Sequence, residues 1–301
     1  MIEPKQPAPD RDQPGRLHRF AHDAMACTFE LLLIEEDGKY AQQAAEAAFK
    51  EVDRLELELS RFLPTSDVAR INTLRPGQTT RVGIDTVECL QLAARIYDAT
   101  SGAFDVAFAS RSHASGAGPP LLLSPKTRDV GVRVDDVRVD LGGIGKGYAV
   151  DQVLGVLRDW SIASGLIHSG QSSVLAFGRP PRDESWSIAL RDPLDHGKEF
   201  GHVNLSNASL SGSGRKLHGD HIVDPRTGRA VTDKLGAWAL TPSAALSDAL
   251  ATAFMVMSAQ EVEAYCREQT EVSAVLCLQA AQGPRLIGFG KPVLRRPAEA
   301  G

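Results

Sequence analysis

A glycine-rich segment in the middle of the chain carries the residues best suited to bind a phosphate. Residues 140–151 read DLGGIGKGYAVD, in which Lys146 stands among four glycines. Glycines let the backbone approach a ligand closely, and the N-terminus of a helix offers free N–H groups to an anion. The spacing matches neither a Walker A loop nor the pattern G-x-G-x-x-G. On these residues alone, the segment is either a phosphate site with Lys146 as its positive charge or a tight structural turn.

A possible cation site lies in an apolar segment near residue 250. Asp248 and Thr252 are four residues apart and therefore share one face of a helix. A carboxylate and a hydroxyl suit a hard cation such as Mg²⁺, which prefers oxygen ligands. The alternative is structural, with the aspartate complementing the helix dipole and the threonine bonding the carbonyl four residues earlier. Both interpretations stay open at this point.

Two further segments hold candidate groups. Residues 221–228 read HIVDPRTG, in which His221 could serve as a general base near neutral pH. A lone histidine is more often structural, so this assignment also has an alternative. Residues 100–105 read TSGAFD, and a helix end at Gly102 followed by a strand nearly accounts for them.

The elements that position these residues follow from hydrophobic periodicity. A strand over 27–34 precedes a long helix, whose apolar positions have helical spacing. These positions are Ala41, Ala44, Ala45, Ala48, Phe49, Val52, Leu55 and Leu59. Asp85 is the predicted N-cap of a further helix. Residues 110–131 predict a loop, whereas alternating valine and charge over 133–143 predict a half-buried strand that feeds the glycine-rich turn.

The C-terminal half predicts short strands separated by polar turns. Ser243 is the predicted N-cap of the helix that carries Asp248 and Thr252, and residues 272–290 predict a hairpin. Because strands and helices mix without a regular βαβ repeat, the expected fold class is α+β, with mixed or antiparallel sheets and packed helices. We expect one domain over residues 17–292. A disordered tail over 1–16 would precede it, and a second tail over 293–301 would follow it.

Composition narrows the classes of function. The net charge of −5 argues against a general electrostatic grip on nucleic acid, which needs a basic face. The four cysteines form no C-x-x-C pair and are expected to be reduced and mostly buried. No segment reaches the roughly 18 consecutive apolar residues of a membrane helix. The polar, proline-rich N-terminal residues lack the apolar core of a secretory signal, so the sequence predicts a cytoplasmic protein.

Taken together and in order, the motifs resemble the ApbE family, the FAD:protein FMN transferases. The resemblance runs from about residue 20 to 290 and is strongest at residues 140–151. The matching segments are Met25–Thr28, Leu59–Phe62, Ser66–Asn72, Ser101–Asp105, Asp140–Asp151, His221–Gly228 and Ser247–Ala253.

The resemblance implies that the protein binds FAD and a divalent cation, usually Mg²⁺, and transfers FMN to a Thr or Ser hydroxyl of an acceptor protein with release of AMP. It implies that Asp248, Thr252 and the main-chain carbonyl of Gly145 bind Mg²⁺. Lys146 would contact the diphosphate. His221 is the implied base, and Asp224 would orient its turn or the nucleotide. Further residues would line the flavin or adenine pocket or lie near the ligand: Met25, Asn72, Phe104, Asp105, Ser211 and Gly212.

Two departures from the family pattern leave other functions open. Residues 170–172 read GQS where the family shows Gly-Gly-Asn or Gly-Gly-Asp, and Leu210–Gly212 lacks the aromatic residue that follows in the family. A Mg²⁺-dependent FAD pyrophosphatase is therefore one alternative, and an FAD-binding module without turnover is another. Gln171 and Leu210 favour the binding module, whereas the retained candidate site residues favour an enzyme.

Overall fold

The computed structural model of the protein describes residues 2–4, 15–110, 119–195, 197–214, 222–280, 283–291 and 294–295. These residues contain six α-helices. The helices are α1 (Gly38–Leu59), α2 (Asp67–Ile71), α3 (Ile84–Ala99), α4 (Gly145–Asp159), α5 (Ala244–Val256) and α6 (Ala259–Glu268). None of the helices in the described part of the chain has the length and apolar character needed to span a bilayer.

The largest sheet has eight strands and forms the centre of the fold. The strands are β2 (Arg16–Ala24), β3 (Cys27–Glu35), β7 (Gly165–Ser169), β8 (Ser173–Phe177), β11 (Ala208–Gly214), β14 (Lys234–Thr241), β15 (Ser273–Leu278) and β16 (Arg285–Phe289). Their order is β16-β15-β14-β11-β8-β7-β3-β2, and each neighbouring pair is antiparallel. The predicted hairpin over 272–290 is confirmed as β15–β16.

Three smaller sheets complete the described strands. They comprise β1 (Ile2–Pro4), β9 (Trp186–Arg191), β10 (Glu199–Leu205) and β17 (Leu294–Arg295) in one sheet, β4 (Thr79–Arg81), β5 (Leu121–Ser124) and β6 (Asp129–Val132) in another, and β12 (Val223–Asp224) with β13 (Arg229–Ala230) in the third. Strands β1 and β17 fall within the predicted terminal tails, yet each pairs with the hairpin β9–β10. Ile2 is fully buried there.

Helix α1 confirms the helix that the apolar spacing predicts after the strand over 27–34. Asp37 caps it, because its carboxylate accepts hydrogen bonds from the backbone N–H groups of Lys39 and Tyr40. Every predicted apolar position of this helix is buried except Phe49, which packs partly buried against the core. One side of α1 therefore lies against α4 and the strands β2 and β3.

Helices α4 and α5 pack with their backbones in close contact. A Cβ atom at Gly147 of α4 would lie 2.2 Å from the carbonyl oxygen of Ala244, so only glycine permits this approach. Asp151 of α4 caps α5 from outside, since its carboxylate accepts from the N–H groups of Ala244 and Ala245 at 2.7 and 2.9 Å. Ser243 is confirmed as the N-cap residue of α5, since its hydroxyl accepts from the N–H of Leu246.

The α+β class is confirmed, but several local predictions were wrong. The N-cap of α3 is Gly83, and Asp85 lies inside the helix, where it pairs with Arg54. The predicted loop over 110–131 contains β5 and part of β6. The predicted strand over 133–143 does not form: β6 ends at Val132, and the buried valines that follow have no strand partner among the described residues.

Candidate functional site

One pocket lies where the β2–β3 turn, the end of α1 and the glycine-rich segment meet. It encloses about 590 Å³, including its open mouth. Its lining residues are Met25, Ala26, Glu56, Leu59, Ser60, Arg61, Phe62, Asp140, Leu141, Gly142, Gly145 and Lys146. The tertiary structure therefore brings Met25 from the start of the chain next to Gly145 and Lys146 from its middle.

The wall formed by the β2–β3 turn has an unusual backbone. Met25 and Ala26 both adopt left-handed conformations, with φ of 49° and 57°. Two successive left-handed residues make the two-residue hairpin whose twist matches the flanking strands. Since neither residue is glycine, this conformation costs about 1 kcal/mol or more at each position. The surrounding packing thus holds Met25 at the pocket against its local preference.

The glycine-rich segment is held by polar contacts from both sides. The Asp140 carboxylate accepts from the N–H of Gly142 at 2.9 Å and pairs with Arg61 Nε at 3.4 Å. Lys146 Nζ donates to the carbonyl of Gly142 at 3.1 Å. The lysine is partly exposed at the pocket, so its ammonium group is accessible to an anion there.

Asn72 holds the strand-like entry to this segment. Its amide nitrogen donates to the carbonyl of Val139 at 3.0 Å, and its amide oxygen accepts from the N–H of Val139 at 2.7 Å. The side chain therefore imitates a neighbouring strand for one residue of backbone. Both polar groups of the Asn72 side chain are used by these two bonds. Asn72 therefore acts on the site indirectly, by fixing the backbone just before Asp140.

Asp248 is buried between α4 and the central sheet. Only 5% of the residue is exposed, and its Oδ2 accepts from the N–H of Gly147 at 3.1 Å. Its Oδ1 accepts from Ser173 Oγ at 3.3 Å. The hydroxyl of Thr252, one turn later, donates to the carbonyl of Asp248 at 3.4 Å. The lone pairs of that hydroxyl oxygen stay available, so the structural interpretation of Thr252 and the cation interpretation are compatible.

These oxygen groups fit a hard cation. A Cβ atom at Gly143 would lie 3.3 Å from Thr252 Oγ1 and 3.2 Å from the Phe104 ring, so glycine keeps the space beside the threonine open. Within the described residues, no group of three or more His, Cys, Asp or Glu side chains is arranged to hold a metal. A single carboxylate together with a hydroxyl suits Mg²⁺, which prefers oxygen ligands and usually keeps several waters and substrate phosphates in its shell.

The pKa of the Cys27 thiol depends on its burial and on the charged side chains around it. Burial raises the pKa of its thiol, the positive charge of Lys146 lowers it, and Asp248 raises it again, so the net direction is upward. The thiol is therefore protonated at neutral pH. The Cys27 thiol is therefore within electrostatic reach of Lys146 and of the carboxylates of Asp248, Glu56 and Asp23. The other three cysteines are buried and free, as predicted.

The segment that contains Phe104 and Asp105 lies beside the glycine-rich segment. Phe104 is 4% exposed, and the carboxylate of Asp105 accepts from the N–H of Ala107 at 2.8 Å. The N–H of Asp140 donates to the carbonyl of Val106 at 2.8 Å. These contacts place Phe104 against Gly143.

Ser211 and Gly212 have structural partners on opposite faces of β11. Ser211 is fully buried, and its hydroxyl bonds that of Ser247 at 2.7 Å, which supports α5 next to Asp248. Gly212 faces the other way, where a Cβ atom would lie 2.7 Å from the Trp238 ring. Leu210 is also buried on that outer face. The replacement at Leu210 is thus accommodated by core packing.

Asp224 belongs to a separate polar cluster. It accepts from Arg226 Nε at 3.0 Å, and Arg226 also pairs with Glu261 of α6 at 2.8 Å. Burial alone would raise the pKa of the Asp224 carboxyl, but the hydrogen bonds from Arg226 outweigh it and lower the pKa. These contacts fix the turn that follows residue 221. His221 itself lies outside the described residues.

Three residues that position the site were given no role by sequence reasoning: Gly147, Asp151 and Ser173. Gly147 and Asp151 are four residues apart on α4, so their shared face was a signal that another element packs closely there. Ser173 gave no signal, because its partner Asp248 is 75 residues away.

Comparison with known proteins gives a consistent result. The ApbE family profile matches residues 25–276. The "FAD:protein FMN transferase" of Klebsiella pneumoniae (strain 342) is 29% identical over 146 residues, which cover 45% of this chain and 41% of that protein. The protein of the same name from Salmonella typhimurium is 25% identical over 267 residues, 76% of each chain.

Among solved structures, the flavin transferase ApbE from Vibrio cholerae superimposes with a TM-score of 0.80 at 20% identity. The superposition covers 93% of this chain and 100% of that one, which shows a common fold. Since the family profile covers most of the chain, the protein belongs to the ApbE family.

Proposed function

We propose that the protein is a Mg²⁺-dependent FAD:protein FMN transferase, which moves FMN from FAD to a Thr or Ser hydroxyl of an acceptor protein and releases AMP. The observation that carries the proposal is geometric: Lys146 lines an open pocket, and the N–H of the next residue, Gly147, donates to the buried carboxylate of Asp248, one helical turn before the half-buried Thr252. The names of the relatives from Klebsiella pneumoniae and Salmonella typhimurium support the same reaction.

The reaction requires an acceptor oxygen to form a bond with the phosphorus of the FMN half. The bond from that phosphorus to the bridging oxygen then breaks, and AMP leaves with that oxygen. The acceptor hydroxyl loses its proton, and His221 is the candidate base that takes it. Asp224 would contribute by fixing the turn that follows His221, through its bonds to Arg226.

The chain's own residues would act mainly by charge and position. Lys146 would place its ammonium group against the diphosphate at the mouth of the glycine-rich segment. Asp248, Thr252 and the carbonyl of Gly145 would hold Mg²⁺. When bound, Mg²⁺ supplies positive charge that offsets the charge developing on the phosphate oxygens. Asn72 and Asp140 would keep the segment in place while the substrate binds.

The test is mass spectrometry of an acceptor domain incubated with the protein, FAD and Mg²⁺, with an EDTA control and AMP measured in parallel. Wild type should add one FMN to the acceptor for each AMP released. Asp248→Ala should lose this activity by at least about 100-fold, because a buried cation ligand is removed. Asp98→Ala removes an exposed carboxylate of α3 that does not line the pocket, and it should behave as wild type.

Other outcomes would identify the alternatives. AMP with free FMN and an unmodified acceptor, across several Thr- and Ser-bearing acceptors, would indicate the FAD pyrophosphatase. Bound FAD without AMP under any condition would indicate a binding module. Full activity of Asp248→Ala would exclude the metal assignment.

A further inference from the structure

The carboxylate of Asp248 is held from two elements at once. The N–H of Gly147 in α4 donates to Oδ2 at 3.1 Å, and Ser173 Oγ in β8 donates to Oδ1 at 3.3 Å. Ser173 is fully buried and Asp248 nearly so, so water does not compete for these bonds. A helix and the central sheet therefore fix both the rotation and the tilt of one carboxylate.

This arrangement leaves a defined capacity for a cation. An ionised carboxylate offers about four lone-pair directions, two on each oxygen. One on each oxygen is used by Gly147 and Ser173, so about one on each oxygen is left. Without the Ser173 hydroxyl, Oδ1 would lose the one donor that it has among the described residues, and the carboxylate could turn about the bond to Gly147.

We infer that Ser173 is a positioning residue for the cation site, holding the Asp248 carboxylate so that its remaining lone pairs face the cation. The inference rests on the proposed Mg²⁺-dependent function. Ser173 belongs to the GQSS sequence, next to the departure from the family pattern at Gln171. The hydroxyl at position 173 would thus orient the metal-binding carboxylate.

Ser169 provides a matched control. It lies directly opposite Ser173 in the β7–β8 register, and both residues are fully buried. The hydroxyl of Ser169 has no hydrogen-bond partner among the described residues. Ser169→Ala and Ser173→Ala therefore remove the same group from neighbouring sites on the same sheet face, but only Ser173→Ala removes a bond to Asp248.

The experiment measures Mn²⁺ binding to the full-length protein through the EPR signal of the free ion, with Mg²⁺ as the competing ion. Thermal unfolding in EDTA measures stability separately. Ser173→Ala should bind both ions about 10-fold more weakly, the lower end of the range for losing a group that orients a ligand. Ser169→Ala should bind within about twofold of wild type. Ser173→Thr keeps the hydroxyl and should restore most of the affinity.

Each result decides the matter. Equal Mn²⁺ and Mg²⁺ affinities for Ser173→Ala and Ser169→Ala would overturn the positioning role, even if Ser173→Ala unfolds at a lower temperature. In that case FMN transfer by wild type would still support the proposed function. Failure of wild type to bind either ion, alone and with FAD, would overturn the proposed metal dependence and this inference with it.

Discussion

Replacing Gly147 by alanine tests whether the close packing of α4 against α5 sets the site. The new Cβ atom would lie 2.2 Å from the carbonyl oxygen of Ala244 and 2.8 Å from Asp248 Cβ. A carbon approaches a carbonyl oxygen to about 3.3 Å at closest, so the helices would have to separate by about 1 Å. That shift strains the cap that Asp151 provides at the start of α5.

The magnitude follows from two opposing effects. In a helix interior, alanine is favoured over glycine by about 0.5–1 kcal/mol. Overpacking costs about 1–3 kcal/mol, and weakening a helix cap costs about 1 kcal/mol more. We expect Gly147→Ala to destabilise the protein by about 2 kcal/mol, which for a chain of this length lowers the unfolding temperature by roughly 3 °C.

Gly155 is the matched control, because it lies in the same helix and a Cβ atom there would meet nothing within 4 Å. Gly155→Ala should stabilise the protein by about 0.5–1 kcal/mol. The assay is thermal unfolding of both variants, followed by Mn²⁺ binding, which should weaken only in Gly147→Ala because Asp248 moves with α5. If both variants gain stability equally and bind Mn²⁺ as wild type does, the two helices are not in backbone contact and the reasoning fails.

Two further predictions concern the polar contacts around the site. Asn72→Leu removes both bonds to the Val139 backbone and should destabilise the protein by about 1–3 kcal/mol; hydrogen exchange of the Val139 amide should accelerate, and unchanged protection would contradict the assigned role. Arg226→Leu removes a hydrogen-bond partner of the Asp224 and Glu261 carboxyls. Burial alone would raise the pKa of both groups, but their hydrogen bonds outweigh it and lower the pKa values below the ordinary 3.8 and 4.5. A carboxyl whose pKa is lower in the folded protein stabilises the fold at pH values above its unfolded pKa, and this stabilisation is lost as the pH falls through its folded pKa. The stability advantage of wild type over Arg226→Leu should therefore shrink on acidification. An advantage that is constant across that range would argue against the ion pairs.

The folded protein accommodates the two departures from the family pattern, at Gln171 and Leu210. Gly170 keeps the left-handed backbone that its turn requires, with φ of 56°, and its N–H donates to the carbonyl of Thr28. Leu210 packs into the outer core. The substitution at 210 therefore affects packing behind the sheet, which favours the transferase hypothesis over the inactive binding module.

Features that depend on neighbours along the chain can be predicted from the amino-acid sequence alone. The spacing of apolar residues predicts α1, because a helix repeats every few residues and needs no distant partner to show it. Ser243 predicts the start of α5 in the same way, since a cap bonds within its own first turn. The order of the motifs was enough to indicate the ApbE family.

The contacts that hold the site in place are visible only in the folded protein. Gly147 reaches Asp248 across 101 residues, Asn72 reaches Val139 across 67, and Ser173 reaches Asp248 across 75. The alternating valines over 134–139 predict a strand, but in the described part of the chain no strand pairs with them. Strand pairing and carboxylate orientation depend on groups that are distant in sequence, and local periodicity carries no information about which of those groups will meet.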